Sequence, residues 1–528
     1  MVKASERHET QLLDTRPDDD GRIRGDARTM AGLIEQWLES PASKIFLRFL
    51  TRRSRNGRRA EKLLKAYAGL DVELSLGDRL AGHSMSYLLD RIALGAGIER
   101  ETIRESLHTG YWRKGLASVL EGVAWRGPQK PFTAYCPFLV VWNFTNTCNL
   151  RCRHCYQSAA AETMRVEMTT EQALDAVDLM AEEGLAYVAM SGGEPLARPD
   201  FFQVAERIVE REMGLSVATN GTLLSDEVVG RLVDVGCELV QVSLDGMRET
   251  HDEFRGMRCF DRVVEGIRNA AASELGVAVS MAVTRHNLGE VRQVMDLAEG
   301  LGADTFMHYN FIPVGRGEGI AEMDISPEER EDLLEALVHE SRSRRMNVLS
   351  TAPQYSRVCT GHGILSMTHF DTFGAHEGLG EEIRFLAEFV GGCGAGRLYW
   401  ALQPNGDLTP CVFIPIMLGN VTRDGFLDVW RDSPVLRALR DRSGFKGGCE
   451  SCDHRNVCGG CRARAYGYTG DLTQSDPGCI LNAAGSFNIK VNSNKTGGVP
   501  QETPLRTPHQ GARGPEGRLN EVISDESR

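Results

Sequence analysis

The chain has 528 residues, 41% hydrophobic and 25% charged, ordinary values for a folded protein in water and more length than one hydrophobic core usually organises. A formal net charge of −13 disfavours nonspecific nucleic-acid binding by the whole molecule. The longest apolar runs, 138–142 and 412–418, fall short of the roughly 20 residues that cross a bilayer, and the polar N-terminus lacks the apolar segment of a secretory signal, so a cytoplasmic location is expected.

In chain order, residues 1–27 are polar, carry the run Asp18-Asp19-Asp20-Gly21, and are expected to be disordered. Residues 28–130 show helical periodicity from Met30 to Leu38 and again from Ser86 to Leu94, and read as a small helical domain. Between Lys44 and Lys65 this domain holds nine basic residues and one acid, Glu61. Lys44, Arg48, Arg52, Arg55, Arg59 and Lys62 recur every three or four positions, so one continuous helix would gather them on a face, while Asn56-Gly57 is a turn signal that divides it. The stripe is either a solvated helix face or a docking surface for an anionic partner.

From 136 to 345 strands and helices alternate. Strand-like runs at 138–143, 187–190, 215–218, 239–243, 277–283 and 305–312 are separated by helix-like segments at 171–183, 201–211, 226–235, 261–273 and 290–301, the first behind the cap candidates Thr169 and Thr170. Such serial units predict an α/β fold with a parallel sheet and right-handed crossovers, curled into a partial (β/α)6 TIM-like barrel. Chemistry in such barrels sits at the C-terminal ends of the strands. At that end of the first strand stand Cys148, Cys152 and Cys155, spaced C-x3-C-x2-C. Three thiolates on one loop can hold three corners of a cubic iron–sulfur cluster and leave one iron open to another ligand. After the second strand comes Met190-Ser191-Gly192-Gly193-Glu194-Pro195, whose paired glycines let backbone groups approach a small polar ligand. Thr219-Asn220-Gly221 and Ser243-Leu244-Asp245-Gly246 add polar groups to the same rim, although each alone is an ordinary turn. The isolated Cys136, Cys237 and Cys259 read as packing residues.

Seven more cysteines fall within 87 residues: Cys393, Cys411, then Cys449-x2-Cys452-x5-Cys458-x2-Cys461, and Cys479. In a chain without an export signal this density points to metal ligation, by iron–sulfur clusters or a zinc ribbon, rather than to disulfides. Upstream, Cys359-Thr360-Gly361-His362, His369 and His376 read as a Gly-rich surface loop, or as a linker in which Cys359, His362 or His369 touches substrate or a cluster. Residues 487–528 are polar, rich in Gly and Pro, and expected to be disordered.

Cys148, Cys152 and Cys155 combined with Gly192-Gly193-Glu194-Pro195 resemble the radical S-adenosylmethionine (SAM) superfamily. The resemblance implies a core barrel over 136–345 whose [4Fe–4S] cluster chelates SAM, cleaves it with one electron and releases a 5′-deoxyadenosyl radical. It places Gly192, Gly193 and Glu194 at the SAM amino group, Ser243 near the ribose, Tyr156 near the adenine and Arg255 at the carboxylate, unless Arg255 is spent on Asp252 or Glu253. It also implies a low-potential electron donor of the ferredoxin or flavodoxin type and work under anaerobic conditions. The later cysteines resemble the SPASM extension of these enzymes, here 393–485 behind a linker at 346–392, which implies two auxiliary [4Fe–4S] clusters. One would be closed by Cys449, Cys452, Cys458 and Cys479. The other, nearer one would rest on Cys393, Cys411 and Cys461, with its fourth ligand open between Cys359, another side chain and the substrate. The close pair Cys458-x2-Cys461 departs from the usual C-x3-C.

The run from Cys458 to Tyr466, with Thr469-Gly470-Asp471 and Asp476-Pro477-Gly478-Cys479, looks like the branch that includes tetrapyrrole-modifying enzymes, and peptide-maturing members share much of it. The expected function is therefore modification of a biosynthetic intermediate such as a tetrapyrrole. The alternatives are maturation of a ribosomal peptide, or a non-catalytic iron–sulfur protein for electron transfer or binding.

Overall fold

A computed structural model describes residues 41–482 except 53–56, 97–98, 163–164, 366–375 and 378–386. The expected disordered termini, the Met30–Leu38 stretch, Arg53, Arg55, Asn56, His369 and the side chain of His376 lie outside the described residues.

The N-terminal helices α1 (Pro41–Thr51), α2 (Arg59–Tyr67), α3 (Leu76–Ala96), α4 (Arg100–Ser106) and α5 (Gly110–Arg126) enclose their own core, in which Leu47, Leu50, Leu64, Met85 and Leu120 meet Phe132 and Leu398. The basic stripe is divided between α1 and α2, and much of it is consumed within the fold. Arg59 bonds Asp78 at 2.7 Å, Lys65 bonds Glu212 at 2.8 Å, and Arg58 pairs with Glu121 at 2.5 Å. Arg58 and Arg59 are thus spent on internal carboxylates, which offset the cost of burying their charges, while Lys44, Arg48 and Arg52 stay exposed. Arg58 also donates to the Gly184 carbonyl at the first barrel helix, which fastens the helical core to the barrel. Arg58→Ala would strand the Glu121 carboxylate, itself 3% exposed, and is expected to lower the unfolding free energy by about 3–5 kcal/mol. Denaturant titration of the variant against wild type measures this, and equal midpoints would contradict it.

The barrel sheet runs in chain order through parallel strands β1 (Leu139–Thr145), β2 (Tyr187–Gly192), β3 (Gly214–Thr219), β4 (Leu239–Ser243), β5 (Gly276–Val283), β6 (Thr305–Asn310) and β7 (Asn347–Ser350). Between them lie α6 (Thr170–Glu183), α7 (Phe201–Glu210), α8 (Asp226–Asp234), α9 (Arg248–Arg255), α10 (Phe260–Ala271), α11 (Val291–Gly300) and α12 (Pro327–Ser343), with α13 (Gln354–Gly361) after β7. Helix α6 starts at a capping box in which Thr169 and Gln172 satisfy each other's backbone amides. Helix α9 eluded periodicity because its eight residues are almost wholly polar, with only His251 and Phe254 on an apolar stripe.

The two faces of these strands differ in burial. Val140, Trp142, Val188, Met190, Val217, Val242, Val279 and Phe306 are 0% exposed on the face that packs the helices. The alternate residues, which pairing register aligns across the sheet, include Val141, Ala189, Ala218, Gln241, Ser243, Ala282, Met307 and Tyr309, and these retain partial exposure. Period-two alternation thus sets fully buried apolar side chains on the helix-packed face and leaves the inner face more polar and partly accessible, the wall of a lumen.

The C-terminal cysteine region is not a separate appended layer. Its strand β8 (Tyr399–Leu402) pairs in parallel with β1, matching Tyr399 to Leu139 and Leu402 to Trp142. Antiparallel strands β9 (Asp407–Thr409) and β10 (Gly419–Asn420) extend that edge. Tyr399 and Ala401 therefore join the lumen face beside Leu139 and Val141.

Candidate iron–sulfur and SAM site

Cys148, Cys152 and Cys155 follow β1, the first two 7% and 8% exposed and the third half-buried. Every sulfur faces a donor. Cys148 Sγ accepts from the Leu150 amide at 3.4 Å and from Asn220 Nδ2 at 3.9 Å, Cys152 Sγ from Arg255 Nη1 at 3.7 Å, and Cys155 Sγ from the Ala159 amide at 3.4 Å. Burial pushes the Cys148 thiol up to about 12, so a bare thiolate is disfavoured and metal must displace the proton. Donors aimed at sulfur suit an anionic cluster, whose charge they share.

The loop is clamped from two sides. Arg316, after β6, donates from Nε to the Cys152 carbonyl at 2.8 Å and from Nη1 to the Ala159 carbonyl at 2.6 Å. On the other side, the amides of Gly193 and Glu194 donate to the carbonyls of Thr145 and Thr147 at 2.7 and 2.8 Å. A Cβ on Gly193 would lie 2.1 Å from the Thr147 carbonyl oxygen. The paired glycines are thus required for contact with the backbone that leads into the cysteine loop, a requirement that their sequence alone does not reveal. Glu194 is fully buried; it accepts from Thr219 Oγ1 and the Asn220 amide, each at 2.8 Å, and burial raises its carboxyl to about 7. It holds Asn220, which in turn faces Cys148.

Arg255 is 7% exposed and its ion-pair partner is Asp245, at 2.5 Å, not Asp252 or Glu253. Asp252 instead caps α10, accepting from the amides of Cys259 and Phe260 at 2.8 Å, while Glu253 binds Arg153. Ser243 stands half-buried at the end of β4 on the lumen side. The Tyr156 hydroxyl donates to Asn143 Oδ1 at 2.7 Å and lies 3.3 Å from Ser191 Oγ, and its ring meets Phe413 edge-on at 4.9 Å. Sequence reasoning missed Asn220, Asp245 and Arg316 as site residues. The first two lay inside rim motifs the sequence did offer, whereas Arg316 had no signal.

Among the seven later cysteines, some members of each expected set lie near one another. Cys458 feels the charges of Cys479 and Cys449, and Cys461 that of Cys393. Tyr399 reaches Cys411 Sγ with its hydroxyl at 3.6 Å and feels Cys393 and Cys461 as well. Tyr156, next to Cys155, meets Phe413, two residues after Cys411, so the β1 loop faces the loop that carries Cys411. Cys359 is 1% exposed in α13, and His362 pairs with Glu335 of α12. Cys136, Cys237 and Cys259 are buried as packing residues, Cys259 with its sulfur 3.4 Å from His251 Nε2.

Two observations test whether the auxiliary sets fit clusters. Among the described residues, the one trio of His, Cys or carboxylate ligand atoms within 4.8 Å of one another is His251, Asp252 and Cys259. No cysteine trio is drawn to the edge of about 3.8 Å that tetrahedral zinc imposes. In addition, Arg397, Arg442 and Arg462 are 1%, 5% and 2% exposed without a carboxylate ion-pair partner among the described residues, and each lies at an auxiliary cysteine. Buried cations need counter-charge, and anionic clusters supply it.

Comparison with known proteins bears directly on this geometry. The radical SAM superfamily model matches residues 142–298, and the SPASM iron–sulfur cluster-binding domain matches 393–461. The AdoMet-dependent heme synthase of Methanosarcina barkeri is 33% identical over 349 residues, covering 65% of this chain and 96% of that protein. The chain belongs to the radical SAM superfamily, in its SPASM branch. This radical SAM enzyme is also 33% identical over 353 residues to mycofactocin maturase MftC of Mycobacterium ulcerans, covering 65% and 88% of the two chains. In fold it is similar to SuiB of Streptococcus suis, with a TM-score of 0.57 at 18% identity over 80% of this chain and 92% of that one. The enzyme uses SAM, a [4Fe–4S] cluster in the barrel and auxiliary iron–sulfur clusters in the SPASM region. Among the described residues no helix is long and apolar enough to cross a membrane.

Proposed function

We propose that this enzyme removes a hydrogen atom from a biosynthetic intermediate seated in the barrel lumen and passes the resulting electron to the nearer auxiliary site. The observation that supports the reading is an uncharged strand face beside the β1 loop, whose three sulfurs each accept from a donor, with Tyr399 of the same face reaching Cys411. Cys148, Cys152 and Cys155 would hold the SAM-binding cluster, with Gly192, Gly193, Glu194, Ser243, Arg255 and Tyr156 shaping the SAM side. Cys449, Cys452, Cys458 and Cys479 would hold the farther auxiliary cluster, and Cys393, Cys411 and Cys461 the nearer one. When bound, SAM on its cluster supplies the 5′-deoxyadenosyl radical; the chain's part is to orient it and exclude water. A ferredoxin- or flavodoxin-type donor would deliver the initiating electron. The helical region 28–130, the barrel 136–345 and the SPASM region 393–485 are the working domains, and the separate helical core supports the first boundary.

A tetrapyrrole is the first substrate reading, supported by the likeness to the heme synthase. A peptide is the second, supported by the likeness to the maturase and by the lumen wall. Asn143, Ala189, Ser191, Gln241, Ser243, Met307 and Tyr309 carry no charge. A macrocycle bearing several carboxylates would have to keep them at the rim to avoid burying unpaired charge.

Anaerobically reconstituted protein, carrying roughly twelve iron atoms per chain for three clusters, is expected to convert SAM to 5′-deoxyadenosine with a low-potential reductant. No cleavage at full iron loading would sink the enzymatic reading. Deuterium transfer into 5′-deoxyadenosine from labelled tetrapyrroles or labelled peptides decides between the substrate classes.

A further inference from the structure

We propose that Arg442 is the shared counter-charge of the two auxiliary cysteine sets and raises the reduction potentials of both together. The proposal rests on reading those sets as two clusters, as above. Arg442 acts as a positioning residue, not as a ligand. Its guanidinium donates to the backbone carbonyls of Arg455 at 2.5 Å, Asn456 at 2.7 Å and Cys393 at 3.3 Å. None of these neutral groups cancels its charge. Burial and the neighbouring Arg462 oppose its charge, and the groups near it that would favour it, once they bind metal as thiolates, are Cys393 of one set and Cys458 and Cys449 of the other.

The packing shows that this position is built. A Cβ on Gly459, between Cys458 and Cys461, would lie 2.6 Å from the guanidinium carbon, and Gly459 has a φ of +73°. A Cβ on Gly391, two residues before Cys393, would lie 3.1 Å from Nη2. The guanidinium is therefore wedged between the loops that carry ligand candidates for both sets, and glycine is what lets it in. Arg462, by contrast, reaches one set, with Nη2 at 3.9 Å from Cys449 Sγ. A fixed positive charge beside a cluster favours the reduced form, which carries one more negative charge, and in a water-poor interior that effect is weakly screened. One cation between two clusters acts on both.

The test is a potentiometric titration followed by electron paramagnetic resonance on anaerobically reconstituted full-length wild type, Arg442→Gln and Arg442→Lys, each first assayed for iron. With iron retained, Arg442→Gln is expected to shift both auxiliary midpoint potentials to lower values and leave the SAM-binding cluster unmoved. Arg442→Lys should return both towards wild type. A shift confined to one auxiliary cluster, no shift, or a Lys variant that behaves like Gln overturns the proposal. If Arg442→Gln loses iron, the Lys variant decides: wild-type iron and potentials support the charge role, and iron loss there too overturns it. Wild-type protein that binds iron for a single cluster would instead overturn the reading of two auxiliary sets, separately from Arg442.

Discussion

Arg255→Ala is expected to destabilise the protein by about 3–5 kcal/mol and to disable the first cluster site. Asp245 is 1% exposed, and its surroundings explain the size of the effect. Burial alone would raise its carboxyl, but Arg255, foremost among the groups around it, and the Ala282 amide help to hold it below the usual range. The two histidines at Asp245 bring no charge near neutral pH. His154 lies 3.4 Å away and His251 Nδ1 accepts from the Asp245 amide, and burial lowers each to about 4. Removing Arg255 therefore strands a buried carboxylate and also takes the donor from Cys152 Sγ. Denaturant unfolding of the cluster-free protein measures the first loss, and iron content after reconstitution measures the second. The combined Asp245→Asn, Arg255→Met variant should recover much of the stability without recovering the cluster, since the stranded charge is gone but the donor is not restored. The sign with pH follows from the depressed carboxyl. The stabilisation from the pair is present above the unfolded value near 3.9 and is lost as pH falls through the lower folded value, so wild type and Arg255→Ala should converge in acid. A stability difference that persists unchanged in acid would rule out the ion pair as its source.

Gly193→Ala is expected to cost the enzyme its SAM-cleaving activity and about four of roughly twelve iron atoms per chain. The new Cβ would meet the Thr147 carbonyl oxygen at 2.1 Å and the Asn146 carbonyl carbon at 3.1 Å. These are backbone atoms, so no side-chain rotation relieves the overlap, and the segment carrying Cys148 must shift. Overpacking of this kind usually costs 1–3 kcal/mol, by order of magnitude about 2, which leaves the rest of the fold and both auxiliary sites standing. Gly230 on α8 has nothing within 4 Å of the place an alanine methyl would take, and Gly230→Ala is the control with full iron and activity. Iron analysis and 5′-deoxyadenosine yield on both variants check the expectation. Gly193→Ala with wild-type iron would show that the turn does not hold the cysteine loop.

Much of the site was legible because its signals are local. The C-x3-C-x2-C spacing, the Gly-Gly-Glu-Pro turn and the Thr169 cap each involve residues a few positions apart, and the strand-like runs of the barrel are short contiguous segments. Helix α9 stayed hidden because its eight residues offer one large apolar side chain, Phe254, too few to mark a buried face. Lys44 to Lys65 read as one basic stripe because charge shows in a sequence and its partner does not: Asp78, Glu121 and Glu212 come from elsewhere in the chain.

The sequence by itself determined the order of βα units, the three thiols after β1 and the density of later cysteines, since strand period, turn chemistry and ligand spacing are properties of short segments. Only the tertiary structure decided that β8 pairs with β1 across more than 250 residues, placing Tyr399 on the lumen wall. It alone chose Asp245 as the partner of Arg255, turned Glu194 toward Asn220 and set Arg442 against both Cys393 and Gly459. The physical reason is common to all four. Burial obliges every charge and every backbone donor to find a partner, but the partner is whichever opposite group the topology brings within about 3 Å, whatever its distance along the chain.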